Sequence, residues 1–438
     1  MKILFYVEVH PIRNELIHHS SVLLGKWGKK IVGWAKDGQL EDNQIKVACH
    51  HFHYQLANDK IPDLVPYLLP TTLEEEKKIQ ANLIHWNQDG KNLWCSLMKG
   101  ENDARLDVYR DFLTRIKKSF DFDVVIFWGL NDFAANVVKE LMAVPLFMEL
   151  ASIRNPFPSS VYLDAKGVNG FATTASLNLD FIREKAKNLR ISSDLLENKH
   201  NSPLSQSQLF DGKFDFQEVN FYSSTETNPS KKVLVPLQIC DDSNILLGSP
   251  YNDVVEFVED VISSFSESDY ELVFKPHPGA YHRGGIVFEG HYKAMMLVNQ
   301  ADNATWLEEE ISKDEYLSFL RQFDAIVTIN SSVGFEGMIL GVPVFPLGEA
   351  IYKPLGYKVD KKNLPAQLCN NREEMIENGY LISRFILNLN FLNELQVRSS
   401  LSYFLKRMNL HCKYSDGKYS IEQLYEGLID LRNEEVTW

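Results

Sequence analysis

Asp324–Gly348, DAIVTINSSVGFEGMILGVPVFPLG, reads as strand, helix and strand in turn. Asp324 to Asn330 is a short apolar run, which suits a strand buried on both faces of a parallel sheet. It ends in Asn330, Ser331 and Ser332, and a helix starts from Val333 with Gly334 and Glu336 near its beginning. Val342–Gly348, VPVFPLG, reads as the next strand. Strand, helix, strand within some two dozen residues is a βαβ unit, and its crossover is right-handed.

The same alternation fills the C-terminal half. Strand VLVPLQ (233–238) comes first, followed by a helix over Asp253–Phe265, strand ELVFKPHP (271–278), strand KAMMLVNQ (293–300) and a helix over Asp314–Phe323. The N-terminal half repeats it. KILFYVEV (2–9) and IVGWA (31–35) read as strands, and Arg105–Phe120 as a helix. Strand DVVIFW (123–128), a helix through Leu141 and strand VPLFMEL (144–150) follow. The fold class is therefore α/β, two Rossmann-like lobes facing a cleft, with a helical segment after about residue 373. The domains read as 1–200, an acceptor lobe; 201–232, a polar Ser/Asn/Thr/Pro-rich connection; 233–375, a donor lobe; and 376–438, helices packing across the lobes.

Composition narrows the function. Of 438 residues, 45 are Lys or Arg and 59 are Asp or Glu, so the formal charge is −14. Nucleic-acid binding needs a basic footprint, so nucleic acid is not the expected partner. Five cysteines without CxxC spacing argue against a disulfide framework or zinc ribbon and for a reducing, cytoplasmic setting. The N-terminus reads as a strand, not a signal peptide. No run approaches the ~18 apolar residues of a membrane span.

Four strand ends carry candidate chemistry. The helix start after Asn330 offers unpaired N–H groups to an anion, with hydroxyls from Ser331 and Ser332. Gly334 permits close backbone approach, and Glu336 is placed to accept from ribose hydroxyls. The rival reading is a plain N-cap. In FKPHP, Lys275 and His277 end a strand, with His277 held between Pro276 and Pro278; ammonium and imidazole both suit a phosphate. After the first strand of this half come Gln238, Asp241 and Asp242. A carboxylate there suits a nucleophile or base for transfer at an anomeric carbon or, in the rival reading, an Asx-turn or cap before the next helix. In the N-terminal half, Glu149 ends a strand and Arg154 follows; a buried carboxylate must be paired or functional, and the rival reading is a structural pairing of Glu149 with Arg154.

Two further features are weaker. Cys49, His51 and His53 alternate on one face of a strand-like stretch beside His50. A surface cluster is the preferred reading over a metal site, so no metal and no cofactor are expected. Phe391–Lys413 carries Arg398, Lys406, Arg407 and Lys413 among apolar residues, which suits a packed helix better than a membrane-surface one.

The segments MELASIRNP…GVNG, VPLQICDDSN, FKPHP and NSSVGFEGMILGVPVFPLG, in that order, resemble the bacterial capsule polysaccharide synthesis and export family over residues 120–355. That family includes the β-Kdo glycosyltransferases, which use CMP-Kdo. The resemblance implies a B-type glycosyltransferase whose C-terminal lobe holds the donor through Lys275, His277, Pro278, Asn330, Ser331, Ser332, Gly334 and Glu336. Its QxxxD pattern falls on Gln238 and Asp242, with Asp242 as nucleophile of a retaining reaction and Glu149 as the proton-transferring partner. Arg154 or Lys275 would balance the sugar carboxylate. Relatives often read E-x-G-x-x-R-P, whereas here Ala151 stands for the Gly and Asn155 precedes Pro156. The implied partners are a nucleotide-sugar donor and a glycan or lipid-linked glycan acceptor, with peripheral contact to the inner membrane or an assembly complex. Two rivals share the fold: a UDP-sugar enzyme, and a non-catalytic glycan-binding export or assembly protein.

Overall fold

The computed structural model describes residues 1–7, 28–41, 43–82, 88–154, 157, 160–189, 231–240, 242–280, 285–308, 311–312, 314–393 and 401–436. The chain forms two units. The first comprises Met1–Glu149, Leu163–Val168 and Leu395–Trp438; the second comprises Leu150–Tyr162 and Asn169–Glu394.

In the first unit, β1 (Ile3–Tyr6), β2 (Ile45–Cys49), β3 (Leu68–Pro70), β4 (Val124–Trp128) and β5 (Val144–Leu150) run parallel in the order β5-β4-β1-β2-β3. Strands β1 and β4 are buried at every position, as parallel strands covered on both faces must be. The helix Asp107–Ser119 turns Val108, Phe112, Leu113 and Ile116 inward at helical spacing. The stretch 31–35, expected as a strand, lies in the helix Gly28–Lys36. Gly28, Ile31 and Trp34 are buried among its described residues, each three from the next, which is a helical face and not an alternation.

The second unit holds β7 (Lys231–Pro236), β8 (Tyr270–Lys275), β9 (Ala304–Trp306), β10 (Ala325–Thr328) and β11 (Val344–Pro346). They are parallel in the order β11-β10-β7-β8-β9. Before them in the chain, β6 (Ser160–Asp164) pairs antiparallel with β12 (Phe391–Asn393). The helix Val254–Phe265 shows how the sequence builds a layer. Asp253 caps it by accepting from the N–H groups of Val255 and Glu256, both at 2.9 Å. Val254, Phe257, Val258, Val261 and Phe265 face the sheet, each contributing about 1.5–3 kcal/mol by burial.

Three expectations change here. KAMMLVNQ is not a strand but the end of the helix Gly285–Val298 and the turn after it, where Val287, His291, Ala294 and Val298 are buried at spacings of four, three and four. A short apolar run does not by itself distinguish a strand from a buried helix. The domain limits differ as well. The first unit breaks off at Glu149 and not near residue 200, and the connection 201–230 lies outside the described residues. The C-terminal helices divide: Leu364–Leu389 belongs to the second unit, Leu401–Ser415 and Ile421–Val436 to the first. Phe404 stacks on Phe5 at 6.3 Å and meets Trp34 at 6.0 Å, so the first unit claims its helix by aromatic packing. Among the described residues no helix is long and apolar enough to cross a membrane.

Candidate functional site

In both sheets the strand order reverses between the first strand and the fourth, and ligands of such sheets bind outside the carboxyl ends at that point. In the second unit the reversal lies between β7 and β10. Gln238 follows β7 and Asn330 follows β10. Gln238 Nε2 donates to Asn330 Oδ1 at 2.8 Å, and Asn330 N–H donates back to Gln238 Oε1 at 3.1 Å. Asn330 Nδ2 also reaches the carbonyl of Glu349 at 3.0 Å. The QxxxD glutamine is thus a brace across the switch point, nearly buried at 8% exposure.

Asp242 sits just past that brace, half-buried. Its own N–H donates to Ile239 O at 3.1 Å, and its carbonyl accepts from Ile245 and Leu246, both at 3.0 Å, opening the helix Ser243–Gly248. The turn-residue reading therefore holds for its backbone. Asp241 lies outside the described residues.

Lys275 ends β8, and His277 follows at the same edge. His277 Nδ1 accepts from the N–H of Gly279 at 3.0 Å. A ring that accepts at Nδ1 carries its proton on Nε2, so this turn sets the donor nitrogen.

At β10, Ser331 caps the helix Ser332–Ile339: its Oγ accepts from Val333 N–H at 3.3 Å. The capping reading is correct for that hydroxyl, and the helix start keeps its anion-favouring dipole. Gly334 differs from expectation. A Cβ there would lie 2.7 Å from the Tyr352 hydroxyl and 3.0 Å from Thr328 Cγ2. Tyr352 in turn donates to Ser331 O at 2.5 Å. The close approach that requires glycine is made by the protein itself, not by a ligand.

Glu336 also differs. It is completely buried, Arg154 N–H donates to its Oε1 at 2.6 Å, and the Tyr316 hydroxyl donates to its Oε2 at 2.6 Å. Burial pushes its carboxyl up to about 7, against the hydrogen bonds from Tyr316 and Arg154 and the charges of Arg154 and Lys275, which lower it. A residue expected to face ribose is packed inward instead, because its helix presents that side to Tyr316. Arg154 is exposed; its Nη1 donates to the carbonyls of Ala151 and, at 3.0 Å, Ile153.

Lys275, His277, Gln238, Asp242, Asn330, Ser331, Ser332, Glu336 and Arg154 all belong to the second unit. Glu149 belongs to the first, half-buried near the carboxyl end of β5. Its Oε2 lies 4.0 Å from where a Cβ on Gly129 would stand.

One arrangement escaped the sequence. The Cys49–His53 stretch is not a strand: Cys49 ends β2, and His51 and His53 begin the helix His51–Lys60. His50 Nδ1 lies 2.9 Å from both oxygens of Glu76, and the Thr71 hydroxyl donates to Glu76 Oε2 at 2.6 Å. His50 and His53 are buried, not surface, residues. The pairing partner is 26 residues away, which no local pattern could supply. No group of three or more His, Cys, Asp or Glu among the described residues is arranged to hold a metal ion.

Residues 134–389, more than half of the chain, match the model of the capsule polysaccharide biosynthesis protein family, and the chain belongs to that family. The capsule polysaccharide export protein KpsS of Escherichia coli is 33% identical over 125 residues, covering 27% of this chain and 30% of KpsS. The capsule polysaccharide modification protein LipB of Neisseria meningitidis serogroup A is 25% identical over 253 residues, covering 56% of this chain and 58% of LipB. The chain thus matches less than two thirds of the length of either curated relative. Among solved structures, the beta Kdo 2,7 transferase KpsC of Thermosulfurimonas dismutans aligns with a TM-score of 0.36 at 19% identity, covering 62% of this chain and 80% of that one.

Proposed function

We propose that the protein is a retaining glycosyltransferase that moves Kdo from CMP-β-Kdo to a glycan or glycolipid acceptor in the synthesis of a bacterial surface polysaccharide. One observation carries the reading. Gln238 and Asp242, His277 and the Ser331 helix start, on three segments distant in sequence, lie at one carboxyl edge around a switch point. That is where a doubly wound sheet holds a nucleotide. Membership of a capsule polysaccharide family supports the product class.

In this reading the helix start and the Nε2–H of His277 hold the CMP phosphate, with Lys275 adding charge. Asp242 attacks the anomeric carbon. The bond to the CMP oxygen breaks, and CMP leaves with the electron pair. The acceptor hydroxyl then attacks the same carbon, Glu149 takes its proton, and the Asp242 carboxylate leaves. Two inversions give retention. Arg154 faces the sugar carboxylate. No step calls for a metal, because helix dipole, imidazole and ammonium all stabilise the phosphate. The acceptor reading implies work at the cytoplasmic face of the inner membrane, near the polysaccharide assembly machinery.

The test is incubation with CMP-Kdo and glycan acceptors, with the anomeric configuration of the product read by NMR. Transfer with retained configuration is expected. Turnover only with UDP-sugars would replace the donor, and glycan binding without turnover on any donor would make this an assembly protein.

A further inference from the structure

Arg154 is held at both ends. Its backbone N–H is fixed by the buried carboxylate of Glu336, 182 residues away, at 2.6 Å. Its Nη1 is fixed by the carbonyls of Ala151 and Ile153. A guanidinium has five N–H donors. With Nη1 committed, the Nε–Nη2 edge meets no protein acceptor among the described residues, and the side chain is exposed. That edge presents two parallel N–H groups, the geometry that matches a carboxylate bidentately. Glu336 is in turn supported by the Tyr316 hydroxyl on its other oxygen.

We propose that Glu336 is a positioning residue that clasps the segment following β5 to the helix Ser332–Ile339, so that the open edge of Arg154 selects a donor sugar bearing a carboxylate. This rests on the glycosyltransferase reading and adds to it what makes the site prefer an acidic sugar. It also gives Glu336 a different task from ribose binding. Arg154 touches the substrate; Glu336 acts through Arg154. The bond is buried, where a hydrogen bond is electrostatically stronger than in water, so it holds the backbone more firmly than an acceptor at the surface would.

The experiment compares CMP with CMP-Kdo in an Asp242→Ala background, where the donor is not consumed, and follows amide hydrogen exchange of residues 148–157 without ligand. Arg154→Lys keeps the charge and loses the fork; it should weaken CMP-Kdo binding by about tenfold or more and leave CMP within about twofold. Glu336→Ala should speed exchange at Arg154 and erase the preference for CMP-Kdo over CMP. Glu336→Gln should restore both relative to Ala, because its amide oxygen accepts from Arg154 and its amide nitrogen donates to Tyr316. If the Ala variant does not fold, Tyr316→Phe, which removes one support and no volume to speak of, should shift both readouts in the same direction. Unchanged exchange at Arg154, or equal losses for CMP and CMP-Kdo, would overturn the inference. A wild type that binds CMP-Kdo no better than CMP would overturn the donor assignment and the carboxylate role together, and exchange at Arg154 would then judge the clasp alone.

Discussion

Gln238 and Asn330 exchange hydrogen bonds across the point where the second sheet reverses its strand order, one amide at the end of β7 and the other at the end of β10. The pair ties together the loops that carry Asp242 and Ser331. Replacing Asn330 by Ala removes the acceptor of Gln238 Nε2 and keeps the backbone N–H that donates to Gln238 Oε1, so one donor of a nearly buried side chain is left without its partner. The expected loss is about 1–3 kcal/mol of stability, read from the denaturation midpoint at unchanged m-value. A midpoint within experimental error of wild type would show that the brace holds nothing.

His277 accepts from Gly279 at Nδ1, which leaves Nε2–H as the donor. His277→Ala should weaken CMP by about 1–3 kcal/mol, measured by calorimetry, with the melting curve unchanged. Equal CMP affinity in a folded variant would remove His277 from the donor site.

Asp242→Ala should abolish transfer and leave CMP binding in place, since a lost nucleophile removes chemistry and not ground-state affinity. Mass spectrometry of the wild type with CMP-Kdo and no acceptor should find a Kdo adduct on the peptide that holds Asp242. An adduct elsewhere, or a product of inverted configuration, would end the double-displacement scheme.

The Glu336 carboxyl is pushed from 4.5 to about 7 by burial, and it is faced by Tyr316, Arg154, Lys275 and Tyr352. A group whose value rises on folding holds its proton longer in the folded chain, so stability is greatest below pH 4.5 and falls as pH rises to about 7. The interval from 4.5 to about 7, at about 1.4 kcal/mol per pH unit, amounts to roughly 3 kcal/mol. Wild type measured against Glu336→Gln should lose that much across the window and run parallel above it. Parallel curves throughout would mean that the carboxylate is ionised from the start.

Activity should survive EDTA. His51→Asn should leave turnover near wild type, because His51 is only partly buried and its ring contacts Gln55 and Tyr54 at the surface of its helix. His53, buried in the structure, is not a comparable control: its replacement should lower the melting temperature whatever its effect on catalysis. Loss of activity that added Mg²⁺ or Mn²⁺ restores would contradict the metal-free scheme.

The alternation of buried strands and helices is legible in the amino-acid order alone, because apolar runs such as Val124–Trp128 and Ala325–Thr328 leave a parallel sheet as their natural burial. That order also places Gln238, Asp242, His277 and Ser331 at strand ends, since local turn and cap chemistry marks those positions. Local signals failed where two structures share one composition, as at Ile31–Ala35 and Lys293–Gln300, where only the neighbouring layer decides between strand and helix. They also failed for every partnership between distant residues. Whether Gly334 makes room for a ligand or for Tyr352, whether Glu336 meets ribose or Arg154, and which carboxylate His50 meets are set by which surfaces pack together. Packing is a property of the folded layers, and a one-dimensional pattern carries the identity of a side chain without the identity of its neighbour.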